Sequence, residues 1–337
     1  NAKPCTQCAE AKLRVKNIPK VATHTPATES GIRIMFDISS VQVPSHAGNK
    51  FWLLIMDEYT KYCWSFFLRF KSDLPTTMLT WTQEFQRHFK KKIKYFRCDN
   101  SGENRTFQED VKRFITSQIK FEFTAPNTPQ QNGMIERKFA TLYGKIRAIM
   151  NTARLPQTLK YALWAHGAKL ITQLETIIMT ADNTSPSMKL KGDNPSWIHN
   201  MRTFGEVGIV YINQKIKSKL QNRGTACLFI GYADDHSGKV YKFYNPRTRG
   251  CLLSRTVIWI NKTYDEYFST TTPSRSRASE ALYDLDYPLS PPSNAIVRQM
   301  TQLADDPEDH DNVVTDQGTD NEGTPHTDNE DTDVDDP

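Results

Sequence analysis

From Gly133 onward the apolar residues Ile135, Phe139, Leu142, Ile146 and Ile149 recur at steps of four, three, four and three. That spacing is one face of an α-helix. The stretch before it, residues 124–133, is punctuated by Pro126, Pro129 and Gly133 and reads as a loop. Upstream the period shortens. Residues 32–38, 51–56 and 62–70 read as three strands; the second is a continuous apolar run of the kind buried on both faces, and the third is rich in aromatics. Met78, Trp81, Phe85 and Phe89 then mark a helix over 74–91. A strand over 93–98, a helix over 107–117 and a strand over 119–123 follow before the long helix.

Beyond it, residues 153–202 look helical but less regular, interrupted at Leu155-Pro156. The period changes again over 203–265. Four short strands, at 207–212, 226–232, 239–244 and 251–259, are separated by turns such as Asn245-Pro-Arg-Thr-Arg-Gly250 and predict a small β-barrel. Lys215, Lys217, Lys219 and Arg223 form a basic loop in it, a phosphate-binding segment or a solvated hairpin tip. Residues 266–337 lose apolar content and predict a disordered acidic tail.

Charge sharpens this division. The chain of 337 residues carries a net +5, but residues 299–337 hold fourteen of the 38 acidic residues and none of the 43 basic ones, so residues 1–298 carry +19. A body that basic suits a polyanionic partner or is a solvated surface. No run of 18 apolar residues and no signal-peptide core is present, and six irregularly spaced cysteines do not suggest a disulfide framework. A soluble intracellular protein, cut from a longer polyprotein, is the expectation.

The candidate chemistry is acidic. Glu136 lies in the first turn of the long helix, about 100° round from its apolar stripe, where the helix dipole favours a carboxylate. Asp99 ends the strand before the turn Asp99-Asn-Ser-Gly-Glu103, and Asp37 lies in the first strand. Sixty-one residues separate Asp37 from Asp99 and thirty-six separate Asp99 from Glu136. Asp57, followed by Glu58, competes with Asp37 from the end of the second strand, or is part of a solvated turn.

These segments, with Thr128-Pro-Gln-Gln-Asn-Gly-Met-Ile-Glu136-Arg-Lys, resemble the catalytic core of copia-type LTR-retrotransposon integrases, a branch of the DDE polynucleotidyl transferases. Ser101 stands where that family usually has Gly. The resemblance implies an α/β RNase H-like core over 31–152, in which a mixed five-stranded sheet with flanking helices gathers the carboxylates at one edge. It implies a helical extension over 153–202 and an SH3-like β-module over 203–265, including Phe229-Ile-Gly-Tyr232. It implies that Asp37, Asp99 and Glu136 bind two Mg²⁺ or Mn²⁺ ions and join DNA strands, with Asp37 preferred to Asp57 as the first carboxylate.

Carboxylates suit such hard, oxygen-seeking ions. Asn132, Gly133, Tyr143 and Arg147 are candidate DNA contacts, though a tyrosine such as Tyr143 is more often a core aromatic. Residues 1–30 carry Cys5 and Cys8 and then a linker over 16–30; the two cysteines resemble the last two ligands of the family's His-His-Cys-Cys zinc module or are free thiols, and Zn²⁺ would need two histidines from upstream. The implied partners are element-end and target DNA, further copies of the chain, and a reverse transcriptase as polyprotein neighbour, with no membrane. The implied locations are cytoplasmic virus-like particles and the nucleus. A nuclease of the same fold, using water as nucleophile, and a non-catalytic nucleic-acid-binding remnant stay open.

Overall fold

The structure is a computed structural model that describes residues 25–124, 132–211, 219–220, 222–233 and 239–271. Strands β1 (Arg33–Ser40), β2 (Phe51–Asp57) and β3 (Cys63–Leu68) form an antiparallel meander. Strands β4 (Tyr95–Cys98) and β5 (Lys120–Phe123) add in parallel on the other side of β1, giving the order β3-β2-β1-β4-β5. This is the mixed sheet of the RNase H-like fold.

Side chains alternate across a strand, so β1 feeds both faces of the sheet. Ile34 and Phe36 join Leu53, Ile55 and Phe96 beneath helices α1 (Leu74–Phe89) and α2 (Gly102–Phe114), which contribute Met78, Trp81, Phe85, Phe107 and Val111. Met35 joins Trp52, Leu54 and Met56 beneath α3 (Gly133–Thr152) and α4 (Gln157–Ile177). Asp37 and Ser39 continue the Met35 face.

Trp52 is the hub of this second face. It is fully buried, and its indole N–H donates to Ser65 Oγ at 2.8 Å. Its ring meets Phe139 and Tyr143 of α3 edge-on at centroid distances of 5.1 and 5.2 Å. Ser65 continues to Thr172 of α4 at 2.7 Å. Both helices are therefore seated on one side chain and its partners. Glu175 of α4 also pairs with Lys138 and Lys145 of α3, which locks the helices to each other.

Several elements depart from the sequence expectation. Helix α2 begins at Gly102, five residues before the expected 107. Asn104 shares the buried stripe with Phe107 and Val111, and a polar residue there hides the first turn from a count of apolar positions. Helix α4 runs unbroken for 21 residues instead of being irregular. It is covered on two sides, so Leu163, Trp164, Ala165, Ala168, Leu170 and Ile171 are all buried and the one-sided pattern is blurred.

Asp57 and Glu58 are not in a solvated turn: they are 0% and 4% exposed. The Asp57 carboxylate accepts from the Gly31 N–H, the Thr60 N–H and the Thr60 hydroxyl at 2.9, 2.9 and 2.7 Å. Glu58 pairs with Arg33 at 2.8 Å, and Arg33 also reaches Glu122 at 3.0 Å. Both acids are spent on holding the start of β1, which leaves Asp37 as the uncommitted carboxylate of that strand.

The β-module has five strands, not four: β6 (Val207–Tyr211), β7 (Gly224–Tyr232), β8 (Tyr241–Asn245), β9 (Gly250–Ser254) and β10 (Val257–Trp259). The expected strand over 251–259 is broken at Arg255-Thr256, where Ser254 Oγ and the Thr256 backbone close a tight turn at 3.1 Å. The sheet order is β10-β6-β7-β8-β9, so two residues carry the chain from one edge to the opposite edge. Two residues span roughly 10 Å at most, so the sheet must curl until its edges nearly meet, as in a barrel. A bulge between Phe229 and Gly231, with Gly231 at φ +144°, supplies part of the bend. At Gly208 a Cβ would lie 2.6 Å from Val257, a close approach only glycine permits.

The chain then forms helix α6 (Tyr264–Thr271), after the six-residue α5 (Pro186–Lys191) in the extension. The expected tail boundary at 266 therefore falls inside a helix, whose Tyr264, Tyr267 and Phe268 pack on the core. The rest of the tail, together with Lys215 and Lys217, lies outside the described residues; Lys219 and Arg223 are exposed. One apolar cluster runs from Met35 and Trp52 through Leu163 and Ile171 of α4 to Leu228 and Tyr244 of the β-module. Among the described residues no helix is long and apolar enough to cross a membrane.

Candidate active site

Three elements converge on the α3 side of the main sheet. Asp37 lies on β1 two residues before Ser39, on the same face. Ser39 Oγ and the Tyr143 hydroxyl are 3.0 Å apart. Tyr143 lies two helical turns after Glu136 on the same side of α3. The Ser39–Tyr143 bond thus lays that stripe along β1 and carries Glu136 towards Asp37. Asp99 follows β4, the parallel neighbour of β1.

The Asp37 carboxyl is pushed up to about 6, first by burial and then by the charges of Asp99 and Glu136; the Ile38 N–H and the ammonium of Lys71 work in the opposite direction. Among the described residues, no three His, Cys, Asp or Glu side chains form a ready-made cage for an ion. The three carboxylates share one electrostatic neighbourhood without such a cage. Their chemistry fits a hard divalent cation: the donors are all oxygen, and their summed charge is left largely uncompensated.

Asp99 is held more firmly than the sequence suggests. Asn104 Nδ2 donates to Asp99 Oδ1 at 2.5 Å and to the Asp99 carbonyl at 3.1 Å, and the Ser101 N–H reaches the same Oδ1 at 3.4 Å. Asn104 is 2% exposed, and its Oδ1 has no hydrogen-bond partner. Asn104 was missed in the sequence reading; an asparagine on an otherwise apolar helical stripe five residues after a candidate ligand was the available signal. Asn104→Leu removes the donor but also a buried unpaired acceptor, whose burial alone costs about 1–3 kcal/mol. The expected outcome is a melting temperature close to wild type with any metal-dependent activity of the three carboxylates about 10–100-fold lower, the usual penalty for losing a partner that orients a metal ligand. Unchanged activity would show that Asp99 does not need this restraint.

The other sequence candidates are placed differently. Arg147 is exposed on α3. Tyr143 is half-buried against Trp52 and bonded to Ser39, so it ties helix to sheet. Asn132 is 4% exposed and precedes Gly133, the first residue of α3. Residues 125–131 and the Cys5–Cys8 pair lie outside the described residues.

Comparison with known proteins agrees with this architecture. Residues 207–273 match the family described as the retroviral polymerase SH3-like domain. The chain is 26% identical over 273 residues to the retrovirus-related Pol polyprotein from transposon TNT 1-94 of Nicotiana tabacum, covering 76% of this chain and 19% of that protein. It is 26% identical over 277 residues to the corresponding polyprotein from transposon RE1 of Arabidopsis thaliana, covering 81% of this chain and 18% of the relative. The chain thus spans less than a fifth of the length of these curated relatives. Among solved structures, a simian T-cell lymphotropic virus intasome in complex with PP2A regulatory subunit B56 gamma gives a TM-score of 0.40 at 10% identity, covering 76% of this chain and 86% of that one, a likeness too loose to weigh. The homologues of this chain are Pol polyproteins of plant copia-type retrotransposons.

Proposed function

We propose that this chain is a retrotransposon integrase that joins the 3′ ends of element DNA to target DNA. The observation that supports the proposal is the placing of β4 beside β1, the strand that carries Asp37, with the charges of Asp99 and Glu136 both felt at Asp37. The relatives' Pol polyprotein origin supports the setting.

In the proposed reaction the 3′-hydroxyl oxygen of an element end attacks a target phosphorus. A new P–O bond forms, the target's P–O3′ bond breaks, and the departing 3′-oxygen takes up a proton while the attacking hydroxyl gives one up. Asp37, Asp99 and Glu136 would hold divalent cations, which supply activation of the attacking oxygen and neutralisation of the departing one. Asn104 keeps the Asp99 carboxylate in one orientation throughout. The Ser39–Tyr143 bond keeps Glu136 from drifting off the sheet. No side-chain nucleophile takes part, so no covalent enzyme intermediate forms.

The proposal brings with it DNA ends and target DNA as partners, further copies of the chain, and a reverse transcriptase in the same polyprotein. It places the work on chromosomal DNA in the nucleus, after assembly in cytoplasmic particles. The test mixes the protein, alone and within its longer polyprotein segment, with Mg²⁺ or Mn²⁺, a labelled element-end oligonucleotide and plasmid DNA. Labelled plasmid is the expected product. Nicking without joining would replace the proposal with a nuclease, and binding without either with a non-catalytic remnant.

A further inference from the structure

The turn between β3 and α1 presents an aromatic ring to solvent, next in sequence to a lysine whose charge is felt by Asp37. Phe70 is 66% exposed, the most exposed aromatic side chain among the described residues. Its exposure does not come from a loose chain. The Asp73 carboxylate accepts from the Phe70 N–H at 3.1 Å, and the Asp73 N–H returns to the Phe70 carbonyl at 3.1 Å. One residue earlier, Arg69 Nε donates to the Ala47 carbonyl at 3.2 Å.

The next residue, Lys71, reaches back over the site. Its Nζ lies 3.6 Å from Glu103 at the start of α2, and its charge is felt by Asp37. At 41% and 28% side-chain exposure, the Lys71–Glu103 pair is too wet to be there for stability. It instead stations one ammonium at the rim of an otherwise acidic site, where an approaching phosphate would meet repulsion.

A ring and a cation on successive residues of a fixed turn offer the two contacts by which proteins hold single-stranded nucleic acid, the ring under a base and the cation on a phosphate. Stacking on a ring needs a base that is not already stacked in a duplex, which selects a strand end over the interior of a target. We propose that Phe70 and Lys71 form a subsite for an unpaired DNA strand end: Phe70 stacks on its exposed base, and Lys71 exchanges Glu103 for the adjoining phosphate. The choice of DNA as ligand rests on the integrase reading; the subsite itself is separately testable.

The full chain is titrated in EDTA, so that no chemistry runs, with two duplexes of the same sequence. One ends in a short single-stranded overhang carrying 2-aminopurine, and the other is closed by a hairpin. Wild type is expected to prefer the open end and to quench the 2-aminopurine. Phe70→Ala should weaken open-end binding at least about fivefold and abolish the quenching, while Phe70→Trp retains both. Lys71→Gln should lower the slope of log affinity against log salt by about one, and Lys71→Arg should restore it. If wild type never joins DNA but the open-end preference still depends on Phe70, the integrase reading falls and the subsite stands. If wild type joins DNA while Phe70→Ala and Lys71→Gln alter neither the preference nor the salt slope, the subsite is refuted and the integrase reading stands.

Discussion

Glu136→Gln is expected to stop DNA joining while leaving the fold and DNA binding in place. The side chain is exposed on the first turn of α3, so an amide of the same size there should change stability by no more than about 0.5 kcal/mol. The charge, by contrast, is one of two that raise the Asp37 carboxyl, and it is one of three available to bind a cation. Losing a partner that merely orients a metal ligand slows such sites about 10–100-fold; losing a ligand should exceed that, and joining should fall more than about 100-fold. Binding should hold or strengthen slightly, because one repulsive charge facing DNA is gone. Gel analysis of joined products beside anisotropy of labelled DNA separates the two effects. Joining within tenfold of wild type would move the active site elsewhere.

Trp52→Ala should produce the largest loss of stability. The indole is fully buried, seats Phe139 and Tyr143, and holds the Ser65–Thr172 link to α4. Truncating a buried tryptophan costs about 3–5 kcal/mol. Part of that comes from edge-on aromatic pairs worth about 0.5–1.5 kcal/mol each. Trp52→Phe, which keeps a ring but loses the N–H, should cost distinctly less. Chemical denaturation monitored by far-UV circular dichroism gives both values. A loss below about 1 kcal/mol for the alanine variant would mean that α3 is held on the sheet by something other than this hub.

Much of this was legible in the sequence, for physical reasons that can be named. The order of strands and helices to Phe123 followed from short apolar runs in the strands and from the one-sided stripes of α1 and α2, which pack on a single face of the sheet. Helix α3 showed its face cleanly, since Ile135, Phe139, Leu142 and Ile146 are all buried along one side of it. Helix α4 did not, because it is covered by the main sheet on one side and the β-module on the other, and burial from two directions erases periodicity. The break at Arg255-Thr256 was invisible because both flanking strands are apolar and the turn needs no glycine or proline. At the site, Asp37, Asp99 and Glu136 were singled out by the resemblance of their segments to a family pattern, not by any local period. Asn104 was hidden by its polarity, and the burial of Asp57 and Glu58 depends on Arg33 and Thr60, partners that no local pattern announces.

The apolar cluster that passes through α4 into the β-module has an evolutionary consequence. Leu163 and Ile171 belong to both halves at once, so the module is not a bead that recombination can swap freely onto another core. An exchange would have to carry the helix with it, or repaint the helix's outer side with polar residues. Related chains should therefore inherit the two halves as a single block.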